Sequence, residues 1–134
     1  MNREKLIRIA KKMREKSYAP FSKYTVGASV ETGDGTIIGG CNVESASYGL
    51  TCCAERIALY NTVSQGFSKF KAIAVASENG GFPCGACRQV LAEFCEELEI
   101  VLADSHGGRE TVQLSELLPK RFGEEDLQSV PSSG

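Results

Sequence analysis

Histidine is almost missing from this chain: 134 residues contain one, His106. That excludes a catalytic zinc held by three imidazoles, and a metalloprotease built on a His-Glu-x-x-His helix. Long apolar runs are missing too. The N-terminal stretch MNREKLIRIAKKMREK is broken repeatedly by charge, and no uncharged apolar run reaches the length of a membrane span. A cytoplasmic protein with no membrane partner is the expectation. Neither sign of charge dominates, with 15 basic and 17 acidic side chains and a formal charge of -2. A broad basic surface for a polynucleotide is therefore not expected. No internal repeat and no interdomain linker interrupt the chain, so residues 1–134 read as a single domain. Only the segment from about 124 to the closing Pro131-Ser132-Ser133-Gly134 reads as a partly flexible tail.

Against these absences stand six cysteines. Adjacent Cys52 and Cys53 and the pair Cys84-Gly-Ala-Cys87 do not resemble an extracellular disulfide framework. In a reducing compartment, closely spaced thiols point to metal or redox chemistry. The pattern around them alternates between helix and strand. Residues 1–16 carry seven basic and two acidic side chains, with Leu6, Ile9, Ala10 and Met13 forming an apolar stripe on a helix. The aromatic segment Tyr18-Ala19-Pro20-Phe21-Ser22-Lys23-Tyr24 ends that helix at or before Pro20. Val26 to Glu31 and Thr36 to Gly40 read as a hairpin around Thr32-Gly33-Asp34-Gly35. A connection rich in small and polar residues covers 41–52. A helix from Cys53 follows, with Ile57, Ala58 and Val63 inward, and then the apolar run Phe70 to Ala76, as for a strand covered on both faces. After the loop at Gly80-Gly81 come a helix from Cys84 to about Glu97, a strand at Val101-Leu102-Ala103, a shorter edge strand at Thr111 to Leu114 and a short helix stopped by Pro119. This order predicts an α/β fold with one mixed sheet and helices on its faces.

Cys53-Ala54-Glu55 and Pro83-Cys84-Gly85-Ala86-Cys87 each sit after a loop and at a predicted helix start. Two helix N-termini can then face one locus, where free N–H groups favour thiolates and carboxylates. Cys53, Cys84 and Cys87 would hold Zn2+ and leave a fourth position for water, whose pKa zinc brings near neutrality. Glu55, two residues past Cys53, can lie beside the metal without ligating it and serve as general base and then acid. The same residue types admit two other readings: a Cys-x-x-Cys redox pair, or a closed structural site with Cys41 or Cys52 as fourth thiolate. Neither gives Glu55 a task. Cys95 reads as a buried core thiol, Cys52 has no assigned role, and His106 sits in an exposed turn. Arg56 is the candidate to donate hydrogen bonds to the sulfurs and offset their charge. Arg88 would do the same or tie its helix to a neighbour.

The order Cys-x-Glu followed by Pro-Cys-x-x-Cys matches the signature of zinc deaminases. Further strings narrow the resemblance: Tyr18 to Tyr24, Val26-Gly-Ala28, Gly40-Cys-Asn-Val-Glu-Ser-Ala-Ser-Tyr-Gly49, Cys53-Ala-Glu-Arg56, Pro83-Cys-Gly-Ala-Cys-Arg-Gln-Val90 and Leu117-Leu-Pro119. Over nearly the whole chain the sequence resembles the small homotetrameric cytidine deaminases of pyrimidine salvage. The resemblance implies a three-layer α/β/α sandwich with a sheet of about five strands. It also implies one Zn2+ per chain, a pyrimidine nucleoside as substrate, and hydrolytic deamination of cytidine and 2′-deoxycytidine. Asn42 and Glu44 would hold the ribose hydroxyls, and Ala54 and Glu55 would read the cytosine edge. Tyr24 would lie beside the nucleoside and Tyr48 near the sugar and the subunit boundary, while Phe122 would reach a neighbouring subunit's site. Two features depart from the family pattern: Tyr24, where relatives often carry Phe, and the Gly80-Gly81-Phe82 approach to Pro83. A deaminase of free bases or of blasticidin S, a polynucleotide-editing enzyme and a structural zinc module are the competing readings.

Overall fold

A computed structural model of the chain describes residues 3–128. Helix α1 (Arg3–Arg14) leads into strands β1 (Gly27–Thr32) and β2 (Ile37–Cys41), and a single 3-10 turn spans Tyr48–Leu50. Helix α2 (Ala54–Ser64), strand β3 (Phe70–Ala76), helix α3 (Gly85–Phe94) and strands β4 (Glu99–Ala103) and β5 (Arg109–Gln113) follow. Two short helices close the described chain, α4 (Leu114–Leu117) and α5 (Glu124–Gln128). The strands form one mixed sheet in the order β2-β1-β3-β4-β5, with only β3 and β4 parallel. Helix α1 covers one face and α2 and α3 the other, a three-layer sandwich of the predicted kind.

The central strand β3 shows why the two faces differ. Its apolar run alternates by size: Ile73 and Val75 join the core beneath α2 and α3, whereas Ala72, Ala74 and Ala76 face α1. The alanine face lets α1 lie close to the sheet. At Gly27 a Cβ would collide with the backbone of Ala10 and Arg14, and at Gly40 one would collide with the backbone of Ala58 in α2. Both helices are thereby held against the hairpin at fixed height. Ser29, buried on the α1 side, donates to the Leu6 carbonyl at 2.6 Å.

Several boundaries and stripes depart from the sequence reading. α1 buries Leu6, Ile7 and Ala10, while Ile9 and Met13 are only half-buried. α2 buries Ala54, Glu55, Ala58, Leu59 and Thr62 and leaves Ile57 half-exposed. The predicted stripe through Ile57 is off because a carboxylate, Glu55, occupies the inward face and sets the rotation of the helix. α3 stops at Phe94 rather than near Glu97, since Cys95 is already extended at φ -135° and Leu98 turns into the core. β4 correspondingly starts at Glu99, which pairs with Gln113 and takes an ion pair from Arg3. The predicted tail begins as helix α5, and 129–134 lie outside the described residues.

Candidate active site

Cys53 and Cys84 are the N-cap residues of α2 and α3, with extended backbones at φ -73°, ψ 153° and φ -67°, ψ 168°. Their carbonyls accept the first helical bonds, from Ile57 N at 3.1 Å and Arg88 N at 3.0 Å. Neither sulfur caps its own helix. Instead the two side chains turn toward each other, Sγ to Sγ 3.9 Å, and Cys87 on the first turn of α3 brings its Sγ to 3.5 Å from Cys84. The parallel step from β3 to β4, which sends α3 over the same face as α2, is what brings the two N-termini together.

The three sulfurs all lie within 4.8 Å of one another, and among the described residues they form the one cluster able to hold a metal. A tetrahedral zinc with sulfurs at about 2.3 Å spaces them by ~3.8 Å, which the 3.9 and 3.5 Å spacings about Cys84 bracket. Cys84 opens to solvent, Cys53 is half-buried and Cys87 is buried. The neighbouring Cys87 thiol above all, with Arg56 and Cys84, draws Cys53 down to about 5 against the cost of burial. Cys87, beside Cys53 and buried, is correspondingly pushed up. Arg56 Nη2 stands 3.5 Å from Cys53 Sγ and donates to it. Arg88 takes its other reading: it donates to the carbonyls of Pro83 at 2.8 Å and Leu117 at 3.1 Å, tying α3 to its neighbours.

Glu55, at the second position of α2, is 6% exposed, and that little faces a cleft. Burial pushes its carboxyl above the ordinary range, and the neighbouring Cys53 adds to the shift. The cleft has a volume of about 280 Å3; Cys53, Ala54, Glu55 and Cys84 line one wall, and Ser22, Tyr24, Asn42 and Glu44 the other. Asn42 accepts from Val26 N at 3.0 Å and from Ser17 Oγ, and donates to the Tyr24 carbonyl at 2.8 Å. It pins the 17–26 segment while keeping a second amide hydrogen for a ligand. Glu44 accepts from Phe21 N at 3.0 Å, Ser22 N at 3.1 Å and Ser22 Oγ. The Ser22 hydroxyl above all holds its carboxyl below the ordinary range. A larger open groove of about 470 Å3 beside Lys11, Arg14 and Asp104 meets this cleft only at Ser77, and no sulfur faces it.

The model of the cytidine and deoxycytidylate deaminase zinc-binding region matches residues 1–103. A cytidine deaminase of Sporosarcina psychrophila is 48% identical over 130 residues, covering 95% of this chain and 96% of the relative. The chain belongs to the cytidine deaminase family. A second family member, from Halalkalibacterium halodurans, is 45% identical over 95% of this chain and 98% of its own length. Among solved structures, the cytidine deaminase of Burkholderia pseudomallei superposes with a TM-score of 0.87 at 47% identity, covering 91% of this chain and all of that one.

Within this cytidine deaminase fold, Phe122 does not line the chain's own cleft. It is exposed, and its carbonyl accepts from Gln89 Nε2 at 2.8 Å. Tyr48 opens the 3-10 turn, and its side chain lies outside the described residues. Cys95 is buried in the core, where burial raises its thiol to about 11, and Cys52 is raised for the same reason. His106 is exposed. The sequence reading missed Phe82, Thr51 and Ser77 as lining residues, and Asn79 behind Tyr24. Phe82 alone left a signal, an aromatic directly before Pro83. No helix among the described residues is long and apolar enough to cross a membrane.

Proposed function

We propose that the protein hydrolyses the amino group of cytidine and 2′-deoxycytidine, giving uridine or 2′-deoxyuridine and ammonia in pyrimidine salvage. One observation carries the reading: a buried carboxylate, Glu55, opens into the same cleft as Cys53 and Cys84, two of the three clustered thiols, and as Asn42 and Glu44. The thiol cluster suits Zn2+, one per chain, held by Cys53, Cys84 and Cys87. When bound, zinc supplies a water acidified enough to act as nucleophile near neutral pH. Glu55 would move the protons, from the attacking water to ring N3 and then to the departing amino group. Its raised affinity for protons suits a group that must give them back. Arg56 offsets the negative charge of the thiolates. Asn42 and Glu44 grip the ribose hydroxyls, Ala54 lies along the cytosine edge, and Tyr24 packs on the nucleoside.

The family relationship further supports a single catalytic domain working as a cytoplasmic homotetramer, with Tyr48 and Phe122 serving neighbouring sites across subunits. An exposed Phe122 outside its own cleft accords with that arrangement. The test is ammonia release from purified zinc-loaded protein given cytidine, 2′-deoxycytidine, cytosine, blasticidin S and a short cytosine-containing oligonucleotide. Turnover of the two nucleosides is expected. Turnover of only the free base, blasticidin S or the oligonucleotide would sink the reading.

A further inference from the structure

Of the side chains around the cleft, Tyr24 is tied most unusually. Its backbone belongs to the 18–26 segment, which has no helix or strand of its own before Gly27 and passes through Lys23 at φ 63°, a left-handed conformation disfavoured for lysine. Its ring is 40% exposed at the cleft. Its hydroxyl donates across to Asn79 Oδ1 at 2.6 Å. Asn79 is not part of the cleft lining. It sits on the loop from β3 to Pro83 and Cys84, so this bond joins the sugar-side segment to the loop that delivers a thiol.

That loop is organised to present the acceptor. Ser77, buried at the end of β3, accepts from Gly80 N at 3.0 Å and Gly81 N at 3.2 Å. Gly81 N also donates to Asn79 Oδ1 at 3.2 Å, and Gly80 adopts φ 68°. Arg14 also links the two segments, donating to the Thr25 carbonyl and hydroxyl and to the Glu78 carboxylate. The Tyr24–Asn79 bond then fixes the ring itself. A side chain at Gly81 would crowd the contact, since its Cβ would lie 3.0 Å from the Tyr24 hydroxyl and 3.4 Å from Asn79 Oδ1.

We propose that Asn79 is a positioning residue for nucleoside binding: with Gly81 it forms a latch that receives the Tyr24 hydroxyl and holds the ring over the bound nucleoside. The proposal rests on the nucleoside reading above. It gives the tyrosine hydroxyl a partner and a task. A ring held in place before binding loses less freedom when the ligand arrives, so the latch acts on affinity and not on the chemical step.

Steady-state kinetics with cytidine test it through Tyr24→Phe, Asn79→Ala, Asn79→Asp and the Tyr24→Phe/Asn79→Ala double variant. Tyr24→Phe and Asn79→Ala should each raise KM about three- to tenfold, as for loss of one neutral hydrogen bond, with kcat within about twofold of wild type. The double variant should be no worse than the poorer single, and Asn79→Asp, which keeps the acceptor, should restore KM. Gly81→Ala should raise KM in the wild-type background and less in the Tyr24→Phe background. Tyr24→Phe removes one exposed oxygen without disturbing packing, so it answers even where Asn79→Ala unsettles its loop. A Tyr24→Phe enzyme with unchanged KM, additive effects in the double variant, or Asn79→Asp as impaired as Asn79→Ala would each overturn the latch alone. A wild-type protein that turns over no cytidine would overturn the functional reading and the latch together.

Discussion

The two walls of the cleft are built from different materials. On one side, Cys53, Glu55 and Cys84 stand at the starts of α2 and α3, with Cys87 buried beside Cys84, and Gly40 clamps α2 to the sheet by backbone contact. On the other, Ser22, Tyr24, Asn42 and Glu44 come from connections between elements, held by hydrogen bonds among themselves. Proton transfer and metal binding depend on sub-ångström placement, which helix N-termini fixed on a sheet provide. Gripping a small polar ligand tolerates more play, and loops can supply it. A substitution in the first wall should therefore abolish metal or turnover. One in the second should move affinity and spare kcat.

The largest effect should come from Cys84→Ala, which removes a sulfur within 4 Å of both others. We expect loss of bound zinc and of all activity, together with a thermal midpoint that a chelator no longer lowers, although it lowers that of the wild type. Full zinc occupancy, measured by atomic emission, would take Cys84 out of the ligand set. Next comes Glu55→Gln, which keeps shape and metal but cannot accept the proton. Turnover should fall about 10²- to 10⁴-fold at unchanged zinc content. Near-normal kcat would remove Glu55 from proton transfer and blur the division between the walls.

The first wall was legible because its chemistry is written as spacing. Thiols and a carboxylate at two helix starts can be read without knowing how the strands pair. The fold class was legible for a similar reason, since the alternation of helix and strand survives errors of a few residues at the boundaries. Glu55 also explains where the reading slipped. Counting only apolar residues placed Ile57 inward on α2, whereas the buried face runs through Glu55, Ala58, Leu59 and Thr62. The second wall carries little local signal. Asn42 and Glu44 came from resemblance, and Asn79 could not be found from sequence, because it matters only through a hydroxyl fifty-five positions earlier.

Glu44 gives the sharpest test of the second wall. Glu44→Gln should raise KM for cytidine roughly 10- to 100-fold, as for a hydrogen bond to a charged group, and leave kcat within about threefold. The effect should depend on pH in a definite sense. Ser22 and the neighbouring N–H groups hold the folded carboxyl below its ordinary value of 4.5. Its ionised form is therefore favoured by folding, and its contribution is complete above pH 4.5 and lost as pH falls through the lower folded value. The ratio of variant to wild-type KM should stay constant from neutrality down to that point and shrink only below it. A ratio that shrinks already between pH 7 and pH 6 would show that another group sets the grip.

The smallest effect should come from a thiol that belongs to neither wall. Cys95 lies in the core where α3 ends, among Leu91, Leu98 and Ile100, and burial keeps its thiol protonated up to about 11. It should resist alkylation at pH 8 for as long as the protein stays folded, since the reactive thiolate is scarce and screened from solvent. Cys95→Ala should cost about 1 kcal/mol of stability for the lost sulfur contacts and leave zinc content, kcat and KM unchanged. A fall in zinc content would mean that the end of α3 is coupled to its N-terminus, and that the rigidity assigned to the first wall runs the whole length of the helix.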